Sequence, residues 1–181
     1  MNQKDVNNLA SGLMALIKND QPSQKNIGLY GSRLITQFIT KPGIEEYLAA
    51  VNLEKKVRLW GTPGTGMQIL CHGADTPKKG SPHDHGSSWA LYYQVSGATE
   101  MSVYSRITGT DGQPGQAELK MTEKSELTPR NAMFFGPLVI HSTRHPSVPA
   151  RWIRVTGTDL DFVTRLRFSI ERKEAVIEQK N

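Results

Sequence analysis

From residue 57 onward the chain breaks into short β-branched or alternating runs separated by glycine, proline and Asp-Gly, a texture that restricts it to an antiparallel β-fold with tight connections. Strands are predicted at 57–60, 67–72, 88–95, 100–106, 117–122, 132–135, 139–143, 152–157 and 166–170, with Thr110-Asp111-Gly112-Gln113 as a hairpin turn. The first fifty residues have a different period. Val6, Leu9, Leu13, Met14 and Ile17 recur at spacings of three and four, which predicts a helix with Asp5 as its N-cap. A second helical segment runs through Ile27, Tyr30, Leu34, Ile35, Phe38 and Ile39, interrupted by Gly28 and Gly31, and Lys41-Pro42-Gly43 stops it before a short helix over 44–51. Short strands behind a helical prefix predict a mainly β fold, a closed or sandwiched barrel with the helices packed on its outside.

With 181 residues the chain has room for one domain with a real core. No repeat, linker or low-complexity tract marks a boundary. The prediction is a single domain over 1–181: helical over 1–55, barrel over 56–170, and a charged tail over 171–181 that frays. The net charge of +5 arises from 22 basic and 17 acidic residues scattered along the sequence, whereas a nucleic-acid footprint needs basic residues gathered on one face. Nucleic acid is therefore not expected as a partner; a monomer or a homodimer is. Cys71 is the single cysteine, so no internal disulfide can form and a reducing, cytoplasmic setting is expected. The N-terminus shows no apolar signal region, and no apolar run approaches the roughly eighteen residues that a membrane helix needs.

The chemistry concentrates in Ser81-Pro82-His83-Asp84-His85-Gly86 and in His141. Histidines at i and i+2 of an extended segment point to one face, so His83 and His85 can meet the same ion, and His141 on a distant strand can complete a three-histidine site. Imidazole suits iron, zinc, copper or nickel. Asp84 then faces away from the pair and is expected to hydrogen-bond in the loop. His145 is expected on the solvent side beyond a strand end, His72 in a structural role, and Cys71 as a small buried hydrophobe. Trp89, Tyr92 and Tyr93 follow the metal loop as barrel core, and Tyr92 or Tyr93 is the candidate for a hydrogen bond inside the pocket, with Tyr93 taken as the site residue.

The order Val57-Arg58-Leu59-Trp60, a Gly-Thr-Gly turn, Met67-Gln68-Ile69-Leu70-Cys71, His83-Asp84-His85 through Gly97, and finally His141 resembles the two metal motifs of the cupin superfamily. Within it the segment is similar to the thiol dioxygenases, especially cysteine dioxygenase type I and its bacterial relatives. That resemblance implies a cupin double-stranded β-helix, His83, His85 and His141 as ligands of Fe(II), and a small thiol carboxylate and dioxygen as substrates. It also implies Arg58 as the residue that forks onto the substrate carboxylate. Arg154 and Arg151 on the late strand, where Trp152, Arg154 and Thr156 share one face, are the alternative clamps. Most cupins carry a glutamate ligand four or five residues after the second histidine; here Trp89 and Ala90 stand there. Ala90 cannot form the cysteine–tyrosine cross-link found in some thiol dioxygenases, and Arg154-Val155-Thr156-Gly157-Thr158 lacks that family's Ser-x-His-x-Tyr relay. The same barrel could instead hold zinc, nickel or manganese for isomerisation, decarboxylation or hydrolysis, or bind a small ligand without turnover.

Overall fold

The computed structural model describes residues 1–19, 24–50 and 56–178; Val51, at the end of the third predicted helix, lies outside them. Helices α1 (Gln3–Asn19), α2 (Gln24–Ile39) and α3 (Ile44–Ala50) precede ten strands among the described residues. The strands are β1 (Val57–Trp60), β2 (Gln68–Ala74), β3 (Lys78–Lys79), β4 (Ala90–Arg106), β5 (Gly115–Gln116), β6 (Leu119–Leu127), β7 (Ala132–Phe135), β8 (Ile140–Thr156), β9 (Leu166–Ser169) and β10 (Glu174–Ile177). No helix among the described residues is long and apolar enough to cross a membrane.

The helical period places α1 where expected, but Asp5 is inside its first turn. Asn2 caps the helix by accepting from the Lys4 amide, and Asp5 is free to pair with Lys41. Gly28 and Gly31 do not interrupt α2. A side chain at Gly31 would put its Cβ 2.7 Å from Leu91 Cδ2, and one at Gly28 would sit 3.7 Å from Phe134 Cβ. Gly31 lets the helix lie directly on the barrel wall, a gain in packing that outweighs its weak helix propensity, whereas a Cβ at Gly28 would make only an ordinary contact.

A seven-stranded antiparallel sheet runs β1-β2-β8-β4-β6, with β3 added on β8 and β7 on β4; a three-stranded sheet runs β5-β10-β9. The predicted pairs 88–95 and 100–106, and 139–143 and 152–157, are each one 17-residue strand, β4 and β8. The two strands bend at the same level. Register slips between Gln94 and Glu100 absorb the bend, and Gly97, at φ +65°, leaves room for the Pro149 carbonyl and the Ala150 backbone, which a Cβ would approach to 2.8 Å. Because they curve together, the strands stay paired through what the glycine makes look like a loop.

The tail predicted to fray from residue 171 forms β10 instead, paired with both β9 and β5. The charged residues Glu171, Arg172, Lys173 and Glu178 that flank the strand conceal it, and Ala175 is its one buried position. Glu178 follows it and pairs with Arg165 and Arg167. Residues 179–181 lie outside the described residues.

Two apolar layers divide the face assignments. Val6, Leu9 and Leu13 of α1, Ile27, Ile35 and Phe38 of α2, and Leu48 of α3 pack on Ile69, Cys71, Leu91, Tyr93, Ile153 and Val155 outside the barrel. Each such side chain contributes about 1.5–3 kcal/mol by leaving water. Alternate residues of the same strands face inward: Ala90, Tyr92, Met101, Leu127 and Phe135 form the interior cluster, with Val103, Met133, Val139 and Trp152 against it.

Candidate metal centre

The segment that carries His83 is the seam between the two sheets. His83 and His141 exchange backbone hydrogen bonds, each amide 2.9 Å from the other's carbonyl. On the opposite side the Phe168 amide donates to the Pro82 carbonyl and the Asp84 amide to the Leu166 carbonyl. The run is extended but too short for a strand, because Gly86, at φ +57°, turns the chain where a Cβ would meet the Thr164 carbonyl at 2.1 Å. Asp84 holds the turn from inside. Its Oδ1 accepts from the Gly86 amide at 2.9 Å and from the Leu166 amide at 3.0 Å, the loop role expected of it.

This seam brings His83, His85 and His141 together, their ligand atoms all within 4.8 Å of one another. The ring planes are mutually tilted, by 54° for His83 against either partner and by 74° for His85 against His141. Nδ1 of His83 lies 3.0 Å from the Ser81 carbonyl, and Nδ1 of His141 lies 3.3 Å from the Val139 carbonyl. A carbonyl can only accept, so both rings carry their proton on Nδ1 and turn the Nε2 lone pair toward the cluster. His85 Nδ1 is buried without a partner.

Burial pushes the proton affinity of all three imidazoles below the usual range, His85 and His141 most strongly; Arg154 acts in the same direction on each, and neighbouring histidines do so on His85 and His141. Neutral imidazole is the form that ligates. An ion about 2.1 Å from each nitrogen needs them roughly 3.4 Å apart, inside the 4.8 Å that bounds the cluster. Three convergent neutral donors with two tautomers already set fit a first-row transition metal, and no carboxylate joins them among the described residues.

The inward row of the sheet surrounds the cluster. Tyr92 stands between Met133 on β7 and Arg154 on β8 as directly paired residues. Its hydroxyl is 3.3 Å from His85 Nε2 and 3.4 Å from His141 Nε2. Phe135 lies flat against His141. Arg154 Nε is buried with no partner, an unspent donor on the face that carries Tyr92.

The other sequence candidates lie elsewhere. Tyr93 points to the outer face, where its hydroxyl is 2.9 Å from Thr36 Oγ1 of α2; neighbours on a strand face opposite ways, and Tyr92 takes the pocket position. Arg58 shares the inward face, paired to Leu70 and through it to Arg154, but its Nη2 donates to Asp159 at 3.1 Å. Burial would raise the Asp159 carboxyl; the Gly64 and Asp161 amides and Arg58 overcome it and hold it below the usual range. His145 is buried, not solvent-side: its Nδ1 is 3.0 Å from Thr99 Oγ1, and its ring stacks on Trp152 at 4.3 Å. His72 also stacks on Trp152, at 5.6 Å, the structural role expected. Cys71 is buried among the outer core side chains, and burial pushes its thiol up to about 11.

No protein-family model and no curated protein matches the chain. Its fold resembles BH2720 from Bacillus halodurans, with a TM-score of 0.52 and 12% identity over 66% of this chain and 83% of that one. It also aligns with the Cnp3 cupin domain of Schizosaccharomyces pombe, at TM-score 0.47 and 10% identity over 62% and 67% of the two chains. KdgF from Halomonas sp. aligns at TM-score 0.44 and 20% identity over 57% and 77%. The antiparallel strands with the helices packed outside form a jelly-roll type of β-barrel. Inside it stands a three-histidine cluster able to hold a metal ion.

Proposed function

We propose that the chain is a non-haem Fe(II) dioxygenase that oxidises the sulfur of a thiol acid to a sulfinate, RS⁻ + O₂ → RSO₂⁻, with His83, His85 and His141 as the iron ligands. The observation that carries this reading is the donor set: three neutral imidazoles without a carboxylate, beside an arginine whose Nε is buried without a partner. Such a site has no charge of its own to balance a metal dication, and an anionic sulfur ligand supplies it. Bound iron would supply the electrons that ground-state dioxygen requires and the Lewis acidity that favours the thiolate.

The chain's own residues do the rest. Arg154 offers a planar fork to the substrate carboxylate from one strand away. The Tyr92 hydroxyl is placed to donate a hydrogen bond to negative charge beside His85 and His141. Phe135, Met101 and Leu127 keep water from that side of the pocket, which strengthens both interactions. Arg58 is bound to Asp159 and acts as a structural pair.

The test is thiol-dependent oxygen uptake by the iron-loaded protein with cysteine, cysteamine and 3-mercaptopropionate, read with elemental analysis of the purified chain. Sulfinate formed in proportion to oxygen consumed supports the reading. Iron loading without uptake for any thiol, or zinc alone as the resident metal, leaves a metal-binding cupin with non-oxygenase chemistry.

A further inference from the structure

Two cavities of about 360 Å³ and about 340 Å³ share Lys79, Tyr104 and Ser142 in their linings, so they form one two-lobed cleft. The cleft opens on the outer face of the sheet. His141 and its cross-strand partner Val103 face inward; their neighbours Ser142, Ser102 and Tyr104 therefore face outward, Ser102 directly across from Ser142. Ser142 and Ser102 are nonetheless only 7% and 6% exposed. The Tyr104 hydroxyl lies 3.2 Å from Ser142 Oγ. Two hydroxyls carry two protons and the bond between them uses one, so the other is left to donate into the cleft.

Charge divides the two lobes. In the lobe toward β6, the three cations Lys79, Lys124 and Arg144 meet one carboxylate, Glu100, which accepts from Lys124 at 2.9 Å and from Arg144 at 3.2 and 3.3 Å. Lys79 stands directly across from Arg144 and has no ion-pair partner among the described residues. Like charges so placed repel, and an anion between them relieves it. Glu126, across from Glu100, is exposed and does not line the lobe. The lobe toward β9 and β10 is nearer balance: Arg167 is tied to Glu178, Arg172 lies 3.7 Å from Glu174, and Glu171 adds a carboxylate, while Ser81 and Ser169 add hydroxyls. A surplus of two positive charges matches a phosphate monoester, which carries about −1.5 to −2 at neutral pH, better than it matches a single carboxylate. We propose that the cleft binds the phosphate monoester of a small polyhydroxy alcohol. Lys79 and the Tyr104–Ser142 hydroxyls hold the phosphate, and the neutral hydroxylated part lies in the lobe toward β9 and β10. The inference lies beyond the function proposed above and does not rest on it.

Calorimetric titration of the full chain with glycerol 2-phosphate, inorganic phosphate and glycerol, at one ionic strength, tests it. Glycerol 2-phosphate should saturate a single site and bind more tightly than inorganic phosphate, and glycerol should give no saturable heat. Lys79→Gln removes an exposed charge and should weaken the ester about tenfold, while Tyr104→Phe removes one hydroxyl and should weaken it about fivefold, both with the circular dichroism spectrum kept. Absence of saturable ester binding overturns the proposal, as does an ester no tighter than inorganic phosphate or glycerol that binds as well as its phosphate. Phosphate held instead by a metal ion or by Arg154 would bind Lys79→Gln as tightly as the unaltered chain, and that result overturns it too. Thiol-dependent oxygen uptake, present or absent, leaves the cleft assignment where these titrations put it.

Discussion

The ring of Phe135 lies on the ring of His141 with centroids 4.1 Å apart and planes 3° from parallel. The contact fixes the imidazole plane, and the Val139 carbonyl fixes its tautomer, so His141 is oriented before any ligand arrives. Phe135→Ala should lower metal affinity 10- to 100-fold and destabilise the fold by about 3–5 kcal/mol. Phe135→Leu should recover most of the stability but not the affinity, because a branched chain fills the space without a flat face. Competition against a chelator of known affinity, with denaturation curves for both variants, checks this. Equal metal affinity in wild type and Phe135→Leu would remove the orienting role.

Tyr92 and Tyr93 are neighbours in sequence with opposite surroundings, and their phenylalanine variants should separate accordingly. Tyr92→Phe takes a hydroxyl from beside His85 and His141 and should reduce turnover about 10- to 100-fold, with unfolding unchanged within about 0.5 kcal/mol. Tyr93→Phe breaks the bond to Thr36 and should cost about 0.5–1.5 kcal/mol of stability while turnover is kept. Steady-state kinetics beside urea unfolding of each variant decide it, and a reversed pattern would put the functional tyrosine on the wrong face.

That pair also marks where reading the sequence stops. Alternation says that Tyr92 and Tyr93 face opposite ways; it does not say which way is in, and the choice depends on register with Arg154 and Met133. The three histidines were legible because i and i+2 spacing on extended backbone is a local property. Their approach to one another depends on the backbone pairing of His83 with His141, which bridges 58 residues and has no local signature. Glycine misled twice. At Gly31 it serves close helix–sheet approach and at Gly97 a bend shared by two strands, and both read as breaks because each partner surface is remote in sequence. The strand over residues 174–177 was hidden by the charges that flank it, and His145 by a burial to which Thr99 and Trp152, remote in sequence, contribute.

Arg154 and Arg58 share a face of the barrel, yet they should fail differently. Arg154→Lys keeps the charge and loses the planar fork, so KM for a carboxylate-bearing thiol should rise about tenfold with little change in kcat, and Arg154→Ala should raise it further. Arg58→Ala leaves Asp159, 4% exposed, with its two backbone donors but no cation, and should cost about 1–2 kcal/mol of stability without moving KM. Kinetics with 3-mercaptopropionate and with cysteamine, which has no carboxylate, separate the two. A rise in KM for Arg58→Ala confined to the carboxylate substrate would reassign the clamp to Arg58.

His145 gives the barrel an acid limit. Burial, with the nearby Lys78 charge adding to it, moves its imidazole from 6.5 down to about 4, while Thr99 contacts Nδ1 and Trp152 covers the ring. Above pH 6.5 the group is neutral folded or unfolded and contributes no pH dependence. Between 6.5 and about 4 the unfolded chain takes up a proton that the folded chain refuses, so stability falls as pH drops through that window and levels off below it. The loss amounts to about 3 kcal/mol. Urea unfolding at pH 7 and pH 4.5 should therefore show a drop of about 2–3 kcal/mol beyond that of His145→Gln, which cannot titrate but can still hydrogen-bond Thr99. Parallel losses in the two proteins would mean that other groups carry the acid sensitivity.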